Sequence, residues 1–192
     1  NRTVALWLAV GWVGFALLPW YAIEDGFWSF VWLDGFPTDA DYAPGIVQAM
    51  GHGRLWFLPI GLALVAPFAV LWRDKTTPSF AFVLQAAGIF GLAYTVVQGF
   101  AIGIQGWEYG FLVTLFGEFG DRQFGMGYGA LLTSAAFLFL LTRGMAARGI
   151  VKGDVFVVGS IGGVISLVVA FIVFPISRIL VSAVQDNDEN YA

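Results

Sequence analysis

Apolar stretches at 4–23, 55–72, 80–104, 124–142 and 155–174 alternate with short polar ones along the whole chain. An α-helix rises 1.5 Å per residue, so about twenty apolar residues cover the ~30 Å hydrocarbon core of a bilayer. The pattern predicts an all-α fold: a polytopic transmembrane helical bundle of about five spans, forming one domain over residues 1–192. The first stretch carries Trp7 and Trp12 and ends in Pro19, Trp20 and Tyr21 beside Glu24 and Asp25, an arrangement that suits an interfacial aromatic belt. It is too long and too aromatic for a signal-peptide core and no small-x-small cleavage site follows, so it reads as a retained span. Pro59 and Pro67 lie inside the second stretch and predict a kink. Pro175 follows the fifth and is expected to break it, leaving a basic-apolar turn at 176–184 and an acidic tail at 185–192.

The polar segments differ in kind. Residues 24–54 scatter Asp34, Asp39 and Asp41 among glycines and prolines, as an external loop would, with room for one short helix at 44–50. Residues 105–123 mix Trp107, Tyr109, Phe111 and Phe116 with Glu108, Glu118, Asp121 and Arg122, the composition of an amphipathic segment lying in the outer interface. The turn at 73–78 is short enough for a tight helix-to-helix connection, and 143–152 is a basic loop.

Composition agrees with lipid as the solvent. The chain is 59% hydrophobic and 11% charged, against roughly 25% charged in an average soluble domain. Its 25 glycines and 17% aromatic content fit closely packed helices anchored by rings. With no cysteine there is no disulfide framework, thiolate metal site or cysteine nucleophile.

Charge orients the bundle. Placing Arg2, Arg73, Lys75, Arg143, Arg148 and Lys152 on one side leaves Arg54, Arg122 and Arg178 on the other, and the same division puts only Asp74 and Asp154 among the acids on the basic side. The positive-inside rule then sets the N-terminus in the cytoplasm and the C-terminus outside. The localisation implied is a multi-pass position in the bacterial inner membrane.

Few residues suggest chemistry. Gly99 and Gly103, Gly125 and Gly129, and Gly159 and Gly163 are pairs four apart, each a flat stripe for close helix packing, with intramolecular packing the expected use. Gln85 and Gln98 are the notable amides of the third span, expected to hydrogen-bond a neighbouring helix. No Asp, Glu, Lys or Arg lies deep in a span, which leaves a proton relay or ion pump without residues. His52 is the single histidine and reads as an interfacial loop residue. Asp39 and Asp41 resemble the start of a calcium loop but lack its glycine and its twelfth-position Glu. No catalytic, cofactor-binding or metal-ligating residue is assigned, and no cofactor or nucleic-acid partner is expected.

The segment 168–192, VVAFIVFPISRILVSAVQDNDENYA, resembles the first core span and exit of bacterial ABC-type importer permeases, particularly the iron(III) group. The features that carry the likeness are an apolar helix closing in Pro175, the basic Arg178, apolar Leu180 to Val184, and the acidic Asp186 to Glu189. The resemblance implies a transporter in which a periplasmic binding protein delivers substrate and cytoplasmic ATPase subunits drive it. The family's E-A-A coupling loop does not occur, the only sizeable cytoplasmic loop being RGMAARGIVKGD. The expected function is thus a non-catalytic N-terminal extension of such a permease, contributing helix packing and partner docking, with lipid and other transmembrane helices as direct neighbours. The alternative is a stand-alone structural or assembly subunit of a membrane complex; a membrane enzyme ranks last.

Overall fold

The computed structural model describes residues 1–23, 28–103, 106–118 and 125–184, and most of them are helical. Helix α1 (Arg2–Leu17) is stopped by Pro19, because the residue before a proline is pushed to extended backbone and Leu18 takes φ −120°, ψ 150°. The chain leaves it as strand β1 (Tyr21–Ile23). Helix α2 (Gly45–Met50) forms in the outer loop where a short helix is expected, with Pro44 at its N-cap. The apolar run Leu55–Val70 divides into a 3₁₀ turn (Leu55–Phe57), helix α3 (Leu58–Val65) and a second 3₁₀ turn (Ala66–Val70). Pro59 and Pro67 each sit in the first two positions of a segment, where a missing N–H costs least.

Helix α4 (Pro78–Ala101) runs into β2 (Ile102–Gly103), which pairs antiparallel with β3 (Gly106–Trp107). A short helix α5 (Gly110–Phe116) follows, then β4 (Gly125–Met126), which pairs antiparallel with β1. Helix α6 (Tyr128–Ala147) leads through a turn to α7 (Val155–Val168), a π-helical turn (Val169–Val173) and α8 (Phe174–Val184). Three helices, Pro78–Ala101, Tyr128–Ala147 and Val155–Ser177, are long and apolar enough to cross a membrane; Arg2–Leu17 and Leu55–Val70 are shorter apolar helices.

Several boundaries differ from those the hydrophobic pattern predicts. The first helix ends at Leu17, six residues short of Ile23, for the proline reason above. The fourth begins at Tyr128 and continues past Thr142 to Ala147, so Arg143 lies on the helix and not in a loop. Its last turn is closed by Gly149 (φ 87°), whose N–H donates to the Ala146 carbonyl at 2.9 Å. Gly103 and Gly125 fall in β2 and β4, outside the helices assumed for them, so neither shares a helix stripe with Gly99 or Gly129. The fifth helix is not broken at Pro175. The wider π turn just before the ring makes room for it, and the Ser177 hydroxyl donates to the Val173 carbonyl at 2.7 Å. The expected acidic tail at 185–192 lies outside the described residues.

Helix α6 is the centre of the bundle, packed between α1 and α4 with α7 on a further side; α3 lies against α4. The core of large side chains, Leu8, Trp20, Phe57, Ile60, Leu64, Phe80, Leu84, Phe137 and Leu140, is closed to solvent. Antiparallel packing sorts the charges. Asn1 donates through Nδ2 to the carbonyls of Leu71 and Arg73, and Gly144 near the end of α6 abuts Ala81 near the start of α4. One end of the bundle therefore carries Arg2, Arg73, Lys75, Arg143, Arg148 and Lys152 with Asp74 and Asp154. The opposite end carries Asp34, Asp39, Asp41, Arg54, Glu108 and Glu118 among the described residues.

Candidate functional site

Two constructions stand out from generic packing: the glycine seams that let α1, α4 and α6 approach, and a polar, aromatic cap at the acidic end. In the seams the backbones nearly touch. A Cβ placed on Gly129 would lie 2.6 Å from the Gly14 carbonyl oxygen, and one on Gly14 would lie 2.8 Å from both the Gly129 carbonyl and the Thr133 hydroxyl. On the other side of α6, a Cβ on Gly88 would meet Leu141 and the Phe137 carbonyl at 2.7 Å, and one on Gly91 would enter the Phe137 ring at 2.5 Å. A Cβ on Gly144 would lie 2.9 Å from the Ala81 carbonyl oxygen and from the backbone N of Gln85. Close approach of this kind supplies the dispersion contacts and short polar contacts that hold helices where apolar burial gives no drive. Thr133 accordingly donates to the Gly11 carbonyl at 3.3 Å, across from α6 to α1.

Most of these glycines escape a search for pairs four apart. Gly11 and Gly14, and Gly88 and Gly91, are spaced by three, which also places two residues on one helix face. Of the residues singled out from sequence, Gly129 lies in a seam, while a Cβ on Gly99 would make only ordinary contacts with Phe174 and Met126 at 3.5 to 3.6 Å. A Cβ on Gly103 would collide with the Glu108 side chain inside the hairpin. Gly125, Gly159 and Gly163 have no described atom within 4 Å of a Cβ position; it is Gly162 that seats α7 on Thr142 and Leu138 of α6.

The cap is built on α4 and the first turn after α1. Gln98 is buried and donates from Nε2 to the Tyr21 hydroxyl at 3.2 Å, while its Oε1 has no partner among the described residues. One turn earlier, the Tyr94 hydroxyl donates to the Trp56 carbonyl at 2.8 Å. Around them Trp20 and Tyr21 each meet Phe57 edge-on at 5.3 and 5.8 Å, and Trp56 meets Trp107 edge-on at 4.8 Å. Phe116 of α5 stacks on Trp107, and the Trp107 indole donates to the Gly117 carbonyl at 3.0 Å. The segment expected to lie at the outer interface is thus tied to the bundle by rings.

The outer loop is fastened by Gln48 and Arg54. Gln48 is fully buried and donates from Nε2 to the carbonyls of Ala40 (2.6 Å) and Ala43 (3.2 Å). Arg54 donates to the Gln48 Oε1 at 2.8 Å and to the Ala40 carbonyl at 3.1 Å. Burial pulls the Arg54 guanidinium below its ordinary pKa, and Tyr21, Asp41 and Asp39 act in the opposite sense. His52 is exposed in the turn after α2. Among the described residues no group of three or more His, Cys, Asp or Glu could hold a metal. Beside the cap, Leu18, Phe30, Trp32, Tyr128, Leu131 and Leu132 line a shallow groove of about 320 Å³ without polar lining.

The arrangement fixes three helices at short range and closes one end with rings and hydrogen bonds. No family model matches the chain, nor does any curated protein or solved structure.

Proposed function

We propose that the chain is a non-catalytic, membrane-embedded region of a transporter, the N-terminal part of a bacterial ABC-type importer permease of the iron(III) group. Its work is helix packing and partner docking in the inner membrane. The observation that carries this reading is the helix of α7 and α8. Only 6% of the span Val155–Ser177 is buried, against 39% and 44% for the spans in α4 and α6. Among the described residues it is seated on α6 at Gly162, with Phe174 against Phe100 farther along. A helix apolar all round belongs inside a bundle or a bilayer, and this one is covered on one side. In the permease reading its open faces meet the remaining core spans, whose first member residues 168–192 resemble. ATPase subunits and a periplasmic binding protein then engage the complete assembly.

The segregation of six cations at one end of the bundle favours an inner position for that end, with the N-terminus cytoplasmic and α8 leaving on the outer side. Reporter fusions test it: Thr76 and Gly149 should report cytoplasmic and Asp39 external, and an external Gly149 would overturn the topology. Function is tested by measuring iron(III) uptake in cells lacking the gene; unchanged uptake would dismiss the iron-permease reading. The same open faces also suit a stand-alone assembly subunit. A reading frame that continues past residue 192 into further spans and an E-A-A loop favours the permease, whereas a stop codon favours the subunit.

A further inference from the structure

The basic end carries more than the charge bias of an inner-facing loop, because apolar side chains are interleaved with the cations. Trp72 is 86% exposed directly before Arg73 and Lys75, and Ile150 and Val151 are each more than 40% exposed between Arg148 and Lys152. The turn that joins α6 to α7 is compressed into left-handed backbone, with φ of 87° at Gly149, 50° at Val151, 55° at Lys152 and 80° at Gly153. A β-branched residue in that region is a genuine outlier, so an apolar residue is kept at a position where glycine would be easier. Asp154, one of two acids at this end, is engaged with the N-terminus of α7, its Oδ1 accepting from the amides of Phe156 (2.9 Å) and Val157 (3.2 Å).

We propose that this end is a binding surface for the phosphates of anionic glycerophospholipids, with Arg73, Lys75, Arg148 and Lys152 on the headgroups and Trp72, Ile150 and Val151 among the acyl-glycerol groups below them. The inference rests on the reading of the bundle as membrane-crossing. A water-facing partner site would leave those apolar side chains wet until the partner came. At an interface they are covered at once, while long basic side chains reach outward to phosphate. Juxtamembrane cations attract an anionic leaflet, about fivefold in affinity for each Lys or Arg.

The test is native mass spectrometry of the detergent-purified chain offered equal phosphatidylglycerol and phosphatidylcholine. Preferential retention of phosphatidylglycerol is expected, and Arg148→Gln with Lys152→Gln should reduce that preference roughly 25-fold, two steps of about fivefold. Asp34→Asn, at the opposite end, should leave it unchanged; a rise equal in size to the loss would show that net charge and not this surface is responsible. Equal retention of the two lipids by the wild-type chain would overturn the proposal, as would displacement of the lipid by inorganic phosphate at equimolar concentration. A basic surface made for an acidic protein gives the equal-retention result. A chain that stays monodisperse without detergent would instead refute the membrane-crossing reading, a failure distinct from loss of lipid preference.

Discussion

Gly88→Ala is a small change with a large expected effect. On α4 the added methyl would lie 2.7 Å from the Leu141 Cβ and backbone N and from the Phe137 carbonyl oxygen, and backbone atoms cannot rotate away. Non-bonded carbons are comfortable at about 3.5 to 4.0 Å, so α4 and α6 would have to part by roughly 0.8 Å at that point. Forced overpacking costs about 1 to 3 kcal/mol, and the upper part of that range is expected because this helix pair forms the most extensive contact in the bundle. The separation would also loosen Gly91 on the Phe137 ring and Gly144 on Ala81. Gly159→Ala is the matched control, since no described atom lies within 4 Å of its Cβ position; the expected change is within about 0.5 kcal/mol. Both are read from the unfolding midpoint in mixed micelles titrated with a denaturing detergent, followed by tryptophan fluorescence. If Gly88→Ala unfolds with the wild type, or if Gly159→Ala loses as much, the seam is not where α4 and α6 are held.

Other substitutions probe single contacts. Tyr21→Phe strands the Gln98 amide donor and should cost about 1 kcal/mol, while Gln98→Leu also removes a buried Oε1 that has no described partner and should cost less or even stabilise; the same unfolding titration compares them, and the reverse ranking would refute the assignment. Asp154→Ala removes the cap of α7 and should cost about 1 kcal/mol, largely restored by Asp154→Ser, checked by hydrogen exchange in the first turn of that helix. Val151→Gly relieves a left-handed β-branched residue and should raise stability by about 1 kcal/mol; a loss would mean that the turn is held by its side chain. Arg54→Ala removes the guanidinium from the Gln48 side-chain oxygen and leaves the Ala40 carbonyl to Gln48 Nε2, so limited proteolysis of the outer loop should accelerate several-fold, and an unchanged rate would count against the clamp.

Element type was legible wherever apolar runs were long, and the ends of elements were not. The run through Gly99 and Gly103 looks uniform in sequence, yet the helix closes at Ala101, because Ile102 turns to extended backbone and pairs with Trp107. Gly125 is removed from α6 in the same way, by the pairing of Tyr21 with Met126 across about a hundred residues. The first is a tight hairpin hidden inside an apolar run and the second a contact between distant parts of the chain, and hydrophobic periodicity marks neither. Pro175 illustrates a rule that was sound but incomplete: the ring does forbid an ordinary turn, and the chain answers with a π turn in place of a break. The cap was half visible, since Trp20 and Tyr21 announce an interface belt and Trp107 an interfacial segment, while Trp56 stood unremarked in an apolar run. Their convergence on Phe57 and Phe116 depends on how the loops fold back.

The helix of α7 and α8 sets the requirement on its surroundings. Among the described residues, thirteen large apolar side chains from Phe156 to Leu180 are more than a third exposed, two of them, Phe156 and Phe171, more than three-quarters. Hiding such a side chain from water is worth about 1.5 to 3 kcal/mol, so leaving each roughly half bare in water forfeits about 1 kcal/mol. Thirteen of them together forfeit a sum comparable with the whole ~5 to 15 kcal/mol by which a domain stays folded. The helix nevertheless keeps a continuous form through a proline, at the expense of a π turn, which an unsupported segment in water would have no reason to do. An apolar surrounding removes the penalty and adds a reason: with no water to meet freed backbone groups, breaking the helix becomes the costlier course. The continuity across Pro175 and the bareness of the flanks thus have one cause, a solvent of hydrocarbon or of other helices on the sides that α6 does not cover.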